Sequence, residues 1–480
     1  MEDFMKSKMC VLVFAISLLP AGIFANGNGE ANGTDSVTKI SAVFDRCLTE
    51  ENGLKEWGEK YSEISGLKLS ITKPAHNQYS QILSTIFASG DYPDVLEIQT
   101  NDYLTFANSG HLVPLEDYIA ESEQFKDVSK DLIEAYRLKD GHIYGVPSTN
   151  ADGCVTYIRQ DWLDNLGLDM PTNWDEYYKV LKAFTYDDPD GNGVKDTVGI
   201  TLPFQTGYEF DYYNRMIMQD AYFGYDQKNG KWVDGFQQPE MIKALERFSL
   251  LYKEGILDNE FFTNKTSTAR SKIFEGQAGV MEYWIGSWAT RFDDSAKNIN
   301  PKASVVSMPA IENAYYINRV VPAFSITSKA ADPKMVFDKF MNLMIDKAEG
   351  QKLFIYGVEG LHYKTTANGI EMLAEPSNPD KLLTKAYCDP NLAPNGMEAL
   401  IEVPELIRLS AKNHDSNARQ LGLPQGGDVF LKRNSEILTL KQEIFAETII
   451  GAYTPAEAIA IYKTKAKALG IDEIIAELNR

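Results

Sequence analysis

The run "DDPDGNGVKD", residues 187–196, places Asp188, Asp190, Asn192 and Asp196 at spacings of two, two and four around two glycines. Side-chain oxygens so spaced are hard donors, of the kind that Ca²⁺ gathers together with backbone carbonyls. Counting Asp188 as position 1 of a Ca²⁺ loop of the EF-hand type puts Asp190, Asn192, the Val194 carbonyl and Asp196 at positions 3, 5, 7 and 9, with Gly193 at the sharp turn of position 6. Position 12, where such a loop supplies a bidentate Glu, is Gly199. Two readings stay open: a structural Ca²⁺ site with an incomplete ligand set, or a metal-free polar turn. Mg²⁺ suits the loop less, because it takes few protein ligands and keeps its waters.

A second set of residues fits a different chemistry. Aromatic faces pack on the C–H surface of a pyranose, while carboxylates and amides hydrogen-bond its hydroxyls. "GVMEYWIGSWAT" offers Tyr283, Trp284 and Trp288 just after a short apolar run, and "FQTGYEFDYYNR" adds Tyr208, Tyr212 and Tyr213. These aromatics are expected in loops. Asp45, Asn101 and Asn150 are candidate polar contacts, and Tyr79 is a further ligand-binding candidate. Any one of these aromatics alone is as readily a core residue.

The elements that must hold these groups alternate between strand and helix. "TKISAVF", "LKLSIT" and "PDVLEIQ" read as strands, separated by the helices "ENGLKEWGEKYSEIS" and "AHNQYSQILSTIFASG", the second ending at Gly90. Such alternation predicts βαβ crossovers in a mostly parallel sheet flanked by helices. Ligands in open sheets sit beyond the carboxyl ends of the strands, which singles out Asp45, Gln99 and Asn101. "DGHIYGVPSTNADGCVTYIRQDWLDNLGL" holds a strand able to cross into a second lobe, and "NRVVPAFSITSK" one able to cross back. "PEMIKALERFSLLYKEGIL" is an amphipathic helix, "DPKMVFDKFMNLMID" a helix capped by Asp332 with Pro333 first, and the C-terminal third is mostly helical.

At the N-terminus, Lys6 and Lys8 precede an apolar run from Val11 to about Phe24, a signal-peptide pattern with cleavage expected after Ala25. The run is shorter than the roughly 20 apolar residues of a membrane span. "NGNGEANGTDS" reads as a flexible spacer over residues 26–37. A formal net charge of −21 argues against nucleic acid and anionic membranes as partners, and favours neutral or cationic ligands. Cys47, Cys154 and Cys388 are too scattered for a disulfide framework and read as small buried hydrophobes, with one bridge left open. G-x-S-x-G, H-E-x-x-H and G-x-x-x-x-G-K-[ST] are all missing, and His76, His111, His142, His362 and His414 show no metal spacing.

Several stretches in order resemble the extracellular solute-binding proteins of ABC import systems, in particular the family-1 group that mostly handles carbohydrates. They are "GDYPDVLEIQTNDYLTFANSGHLVPLEDYI", "DGHIYGVPS", "IRQDWLDNLGLDMPTNWDEYYKVLKAFTYDDPDGNGVKDTVGI", "FEGQAGVMEYW" and "GVEGLHY", and they span the chain from about residue 38 to its end. The resemblance implies a two-lobed α/β fold of the periplasmic-binding-protein type, hinged by crossing strands, with a helical C-terminal region. Lobe 1 is expected over residues 38–150 and 321–378, and lobe 2 over 151–320 and 379–480. It also implies a non-enzymatic, monomeric carrier that captures a carbohydrate and docks on an ABC permease. Trp284 and Trp288 match a segment that lines the ligand cleft in the family. Thr197 departs from the family, which often has an acidic residue there, and the absence of a lipobox cysteine implies a soluble periplasmic protein. The alternatives are a secreted glycoside-active enzyme, for which 68 acidic residues identify no particular pair, and a calcium-stabilised surface interaction module.

Overall fold

The computed structural model describes residues 39–75, 78–148, 153–204, 207–226, 228–320, 322–367, 369–382 and 404–480. The expected signal peptide, the spacer, His76, Asn150 and Cys388 lie outside these residues. Cys47 is half-buried and Cys154 buried. Among the described residues no helix is long and apolar enough to cross a membrane.

The chain opens with β1 (Lys39–Val43), α1 (Leu54–Ser65), β2 (Lys68–Thr72), α2 (Tyr79–Ser89), β3 (Val95–Ile98) and α3 (Thr100–Asn108). All four residues of β3 are buried, as befits a strand covered on both faces. Helix α1 repeats its buried residues Leu54, Trp57 and Tyr61 at spacings of three and four, so one face enters the core. Two short helices, α4 (Glu116–Glu121) and α5 (Lys130–Glu134), lead to β4 (Val146–Pro147).

The second lobe begins at β5 (Cys154–Arg159), followed by α6 (Gln160–Leu166), α7 (Trp174–Tyr186) and β6 (Val198–Ile200). Asn173 caps α7 by accepting the Glu176 N–H at 3.1 Å. A 3₁₀ turn (Gly207–Tyr212), α8 (Arg215–Met218), the small hairpin β7 (Tyr225–Asp226) and β8 (Lys231–Trp232), α9 (Pro239–Lys253) and α10 (Thr266–Phe274) come next. Then follow β9 (Ala278–Trp284), α11 (Trp288–Ile299), β10 (Val305–Met308), β11 (Tyr316–Asn318) and the returning β12 (Ala323–Ile326).

The first sheet has the order β2-β1-β3-β12-β4 and the second β10-β5-β9-β6. Both are mixed rather than mostly parallel. β1 runs parallel to β2 and β3, but the returning β12 is antiparallel to β3 and β4. In the second sheet β6 is parallel to β9, while β5 is antiparallel to both β9 and β10. The reversal arises where strands enter from the other lobe instead of through a helical crossover.

Two separate hydrophobic cores mirror the two sheets. One runs from Ile40 to Val146 and resumes from Val320 to Phe354, while the other runs from Cys154 to Ile317 and resumes from Phe430 to Leu478. Leu423 packs into the first core despite lying in the C-terminal segment. That segment also touches the first lobe through Lys139, whose Nζ donates to the carbonyls of Gln425 at 2.6 Å and Glu477 at 2.7 Å.

Asp332 accepts the Met335 N–H at 3.0 Å and Pro333 starts α12 (Pro333–Val336), which widens into a π turn over Phe337–Met341 instead of continuing as one helix. After α13 (Glu349–Tyr356) and α14 (Glu405–Asp415), the chain ends in α15 (Asp428–Ile449), α16 (Pro455–Ala468) and α17 (Ile471–Leu478). Thr454 and Glu457 form a capping box on α16.

Among the described residues, two of the segments that cross between the lobes are tied to each other. The Ser148 N–H donates to the Pro322 carbonyl at 2.9 Å on the first-lobe side. On the other side Gly153 pairs with Asn318 in an antiparallel bridge. A Cβ at Gly153 would lie 2.2 Å from His414 Nε2 and 2.4 Å from the Ile317 carbonyl oxygen, so only glycine lets these backbones meet.

Candidate ligand-binding cleft

Register places both crossings at the same end of each sheet. Ala323, the first residue of β12, pairs with Ile98 and Pro147, so the crossings meet the first lobe at the carboxyl end of β3. In the second lobe Cys154 pairs with Trp284, which puts the carboxyl end of β9 beside the crossing. The rims of the cleft are therefore the chain just beyond β1 and β3 and the chain just beyond β9.

The first rim is organised by Glu97. This buried carboxylate accepts the N–H of Asp45 at 2.9 Å and of Arg46 at 2.8 Å, and pairs with Arg46 Nε at 2.6 Å. Arg46 Nη2 goes on to donate to Ser148 Oγ at 2.8 Å, tying the rim to the first crossing. Asp45 is itself buried, and its carbonyl accepts from Lys73 Nζ at 2.9 Å. Tyr79 proves to be a strand clamp rather than an open contact. It is buried and its hydroxyl lies against the Val43 carbonyl at 2.9 Å and the Glu97 carbonyl at 2.5 Å. Burial first, and the neighbouring carboxylates of Glu97 and Asp45 second, push its phenol well above the usual range. Asn101 falls in the first turn of α3 and Tyr208 in the 3₁₀ turn, but their side chains lie outside the described residues.

The second rim is aromatic. Tyr283 and Trp284 are not in a loop, as expected from sequence, but are the last two residues of β9, and Trp288 opens α11. Tyr283 meets Trp288 edge-on at 4.8 Å between ring centres. Trp284 lies 6.1 Å from Tyr212 and 5.9 Å from Tyr213. Tyr212, Tyr213 and Tyr283 are buried, whereas Trp284 and Trp288 stay partly exposed.

What holds Tyr212 and Tyr213 there is Glu282, the neighbour of Tyr283 in β9. Its carboxylate accepts the N–H groups of Arg215 at 2.9 Å and Met216 at 3.0 Å, fixing the segment just after the two tyrosines. Glu282 is completely buried, and burial pushes its carboxyl up to about 7 against the pull of those N–H groups and of Arg215. Asp211 is pushed up to about 6 for the same first reason.

Sequence reasoning missed three arginines. The guanidinium carbon of Arg270 lies 4.5 Å from the Trp288 ring centre and 4.8 Å from that of Tyr283, and Arg270 also donates to the Tyr283 hydroxyl. Arg291 lies 4.2 Å from Trp288. Arg319, in the returning crossing, lies 4.3 Å from Trp284. They come from α10, α11 and the crossing, and no spacing in the sequence links them.

The acidic loop stands apart, between α7 and β6. Its carboxylates turn onto the loop's own N–H groups: Asp188 accepts from Asn192 at 3.1 Å and from Gly193 at 3.0 Å, and Asn192 Nδ2 donates to Asp190 at 2.9 Å. Asp188 adopts a positive φ of 51°. No group of three His, Cys, Asp or Glu side chains among the described residues is arranged to hold a metal ion. Gly199 could not become the missing glutamate, since a Cβ there would lie 2.4 Å from the Leu181 carbonyl oxygen. Thr197 is buried and donates to the Phe184 carbonyl at 2.7 Å, away from the loop.

The family model for bacterial extracellular solute-binding proteins matches residues 48–351. The chain belongs to that family. Among relatives of this solute-binding protein, Lipoprotein LipO of Bacillus subtilis is 26% identical over 75% of this chain and 74% of its own length. The polygalacturonan/rhamnogalacturonan-binding protein YtcQ of the same species is also 26% identical, over 74% of this chain and 73% of its own. The ABC-transporter substrate-binding protein FusA of Streptococcus pneumoniae, solved in complex with kestose, superposes with a TM-score of 0.68 at 17% identity, covering 92% of this chain and 97% of that one. Its two-lobed architecture is that of the solute-binding protein described here.

Proposed function

We propose that this solute-binding protein captures a carbohydrate between its two lobes in the periplasm and delivers it, unaltered and as a monomer, to the permease of an ABC importer. The observation that carries the reading is the aromatic rim at the carboxyl end of β9, where Trp284 and Trp288 remain partly exposed beside the crossing segments. Rings at such a place supply faces for a sugar's C–H surface. YtcQ and FusA, whose names or bound ligands are saccharides, support the same class of ligand. A thermal-shift screen against mono- and oligosaccharides tests it. A rise in melting temperature with recovery of the intact sugar is expected; no response to any carbohydrate, or release of cleaved sugar, would sink the reading.

For the acidic loop we propose structural Ca²⁺ binding by Asp188, Asp190, Asn192, the Val194 carbonyl and Asp196. In support, the carboxyl of Asp190 is pushed up by burial and, beyond that, by Asp188 and Asp196 crowding it, a repulsion that a bound cation would relieve. Ca²⁺ there would supply charge neutralisation to a helix-to-strand connection and take no part in solute binding.

A further inference from the structure

We propose that solute capture is coupled to a proton held on the buried carboxyls of Asp211 and Glu282, the two positioning residues that fasten Tyr212 and Tyr213 into the aromatic rim. The proposal rests on the carbohydrate reading above and deepens it by naming how that site is regulated.

Side chains alternate along a strand, so Glu282 and Trp284 project from the same face of β9, two residues apart. The stretch from Asp211 to Met216 meets that face. Its rings Tyr212 and Tyr213 stand 6.1 and 5.9 Å from Trp284, and its N–H groups at Arg215 and Met216 end on the Glu282 carboxylate at 2.9 and 3.0 Å. At the other end of the same stretch Asp211 accepts the Phe223 N–H with both oxygens, at 3.1 and 2.8 Å. The two rim tyrosines therefore sit between two carboxyl anchors, one ahead of them in the chain and one acting just behind, and both anchors are buried.

Arg215 acts on both carboxyls, but its guanidinium is committed elsewhere. It donates to the carbonyls of Tyr315 at 3.1 Å, Ala221 at 3.0 Å and Gln219, with its carbon 4.1 Å from the Tyr315 ring centre. Lys441, which also faces Asp211, is ion-paired to Asp234 at 3.2 Å. Among the described residues neither Asp211 nor Glu282 lies within ion-pair distance of a cation. The other titratable groups facing them are phenols held neutral by burial, Tyr177 and Tyr316 toward Glu282 and Tyr315 toward Asp211. Arg419 and Asp220 add one charge of each sign around Tyr315. Arg215 and Lys441 thus answer three carboxylates, Asp211, Glu282 and Asp234, and one negative charge is left over. An unbalanced charge at such depth is costly, and a single bound proton removes it. Burial, the first cause in both, pushes the Glu282 carboxyl up to about 7 and that of Asp211 up to about 6.

The proton matters to the rim through what it does to the anchors. An ionised carboxylate takes charge-assisted bonds from N–H groups, whereas a protonated carboxyl is the weaker acceptor. Protonation therefore slackens the hold on the stretch that carries Tyr212 and Tyr213. A solute packed against the rim orders that stretch and favours the ionised anchors, so capture releases the proton to solvent. Reciprocity then requires affinity to rise with pH across the same interval. The groups that bury both carboxyls belong to the second lobe itself, so closure of the first lobe adds little to the cost of their charge.

The test uses the full chain and, as probe, whichever of kestose, maltotriose, xylotriose and trigalacturonate gives the largest melting shift, since none of them titrates between about pH 5.5 and 8.5. Affinity should rise about three- to tenfold from the lower pH to the higher, the difference between neutral and charge-assisted hydrogen bonds. Calorimetry near pH 7, in two buffers of different ionisation enthalpy, should show proton release on binding. Both effects should vanish in the D211N/E282Q variant. If that variant fails to fold, E282Q alone must still lose part of the pH dependence. A flat profile in the unaltered chain, proton uptake in place of release, or a slope that survives in the variants overturns the proposal while leaving the carbohydrate reading intact. So does an E282Q profile lowered equally at every pH, which would make Glu282 a structural support alone. Binding of no saccharide at all overturns both.

Discussion

On the first lobe, the carboxyl ends of β1 and β3 are closed by contacts that end on protein: Glu97 holds two N–H groups and Arg46, and Arg46 reaches Ser148. On the second lobe the corresponding end of β9 is built from rings with arginines against them, Arg270 and Arg291 at Trp288 and Arg319 at Trp284. The first rim is held by ion-pair and hydrogen-bond contacts; the second is held by packed rings. Two lobes that close on a solute can divide the work in this way, one serving as a fixed wall and the other supplying the chemistry.

The sharpest way to break that comparison is to remove the anchor of the fixed wall. Glu97→Ala leaves Arg46 without its buried partner and two N–H groups unsatisfied, and should cost about 3–5 kcal/mol in urea unfolding. A loss well under 1 kcal/mol, on the order of an exposed ion pair, would mean the first rim is not held by Glu97.

The second lobe should show its difference through pH. Glu282 has a carboxyl near 7 in the folded protein and an ordinary value of 4.5 when unfolded. Between those values the folded state binds more protons than the unfolded one, so the stabilising effect is complete below about 4.5 and is lost as pH rises toward 7. The loss should be about 3 kcal/mol, read from unfolding midpoints across that window, and Glu282→Gln should flatten it. A profile that keeps its slope in the variant would shift the cause to another group, Asp211 first.

A smaller effect is expected from the rim itself. Trp284→Ala removes the ring shared by Tyr212, Tyr213 and Arg319 and should weaken saccharide binding about tenfold, while the unliganded melt changes little. Unchanged affinity in a titration would remove Trp284 from the site. Smallest is the acidic loop: EGTA should lower the melting temperature by a few degrees and added Ca²⁺ restore it, with no change in saccharide affinity. Identical melts with and without the chelator would argue for a metal-free turn.

Much of the frame was legible because it is local. β1, β2 and β3 are short apolar runs between helices with buried spacings of three and four, and Asp332 and Asn173 announce helix starts by their capping chemistry. The direction of β12 was not legible, since antiparallel entry follows from a crossing set by Ser148 and Pro322, residues some 170 positions apart in one chain. Tyr283, Trp284 and Trp288 stood out as an aromatic run, but β9 extends through the first two of them because Cys154 pairs with Trp284 across the sheet. Tyr79 could not be sorted from sequence, because only the fold brings Val43 and Glu97 to its hydroxyl. The arginines were invisible for the same reason: Arg270, Arg291 and Arg319 share a neighbourhood and no spacing.

Gly153 makes the joint between the lobes sensitive to a single added carbon. A Cβ there would meet His414 Nε2 at 2.2 Å and the Ile317 carbonyl oxygen at 2.4 Å, so any larger residue would have to wedge the two crossing backbones apart. One methyl group at this position would thereby disturb the way the lobes are joined without touching either rim.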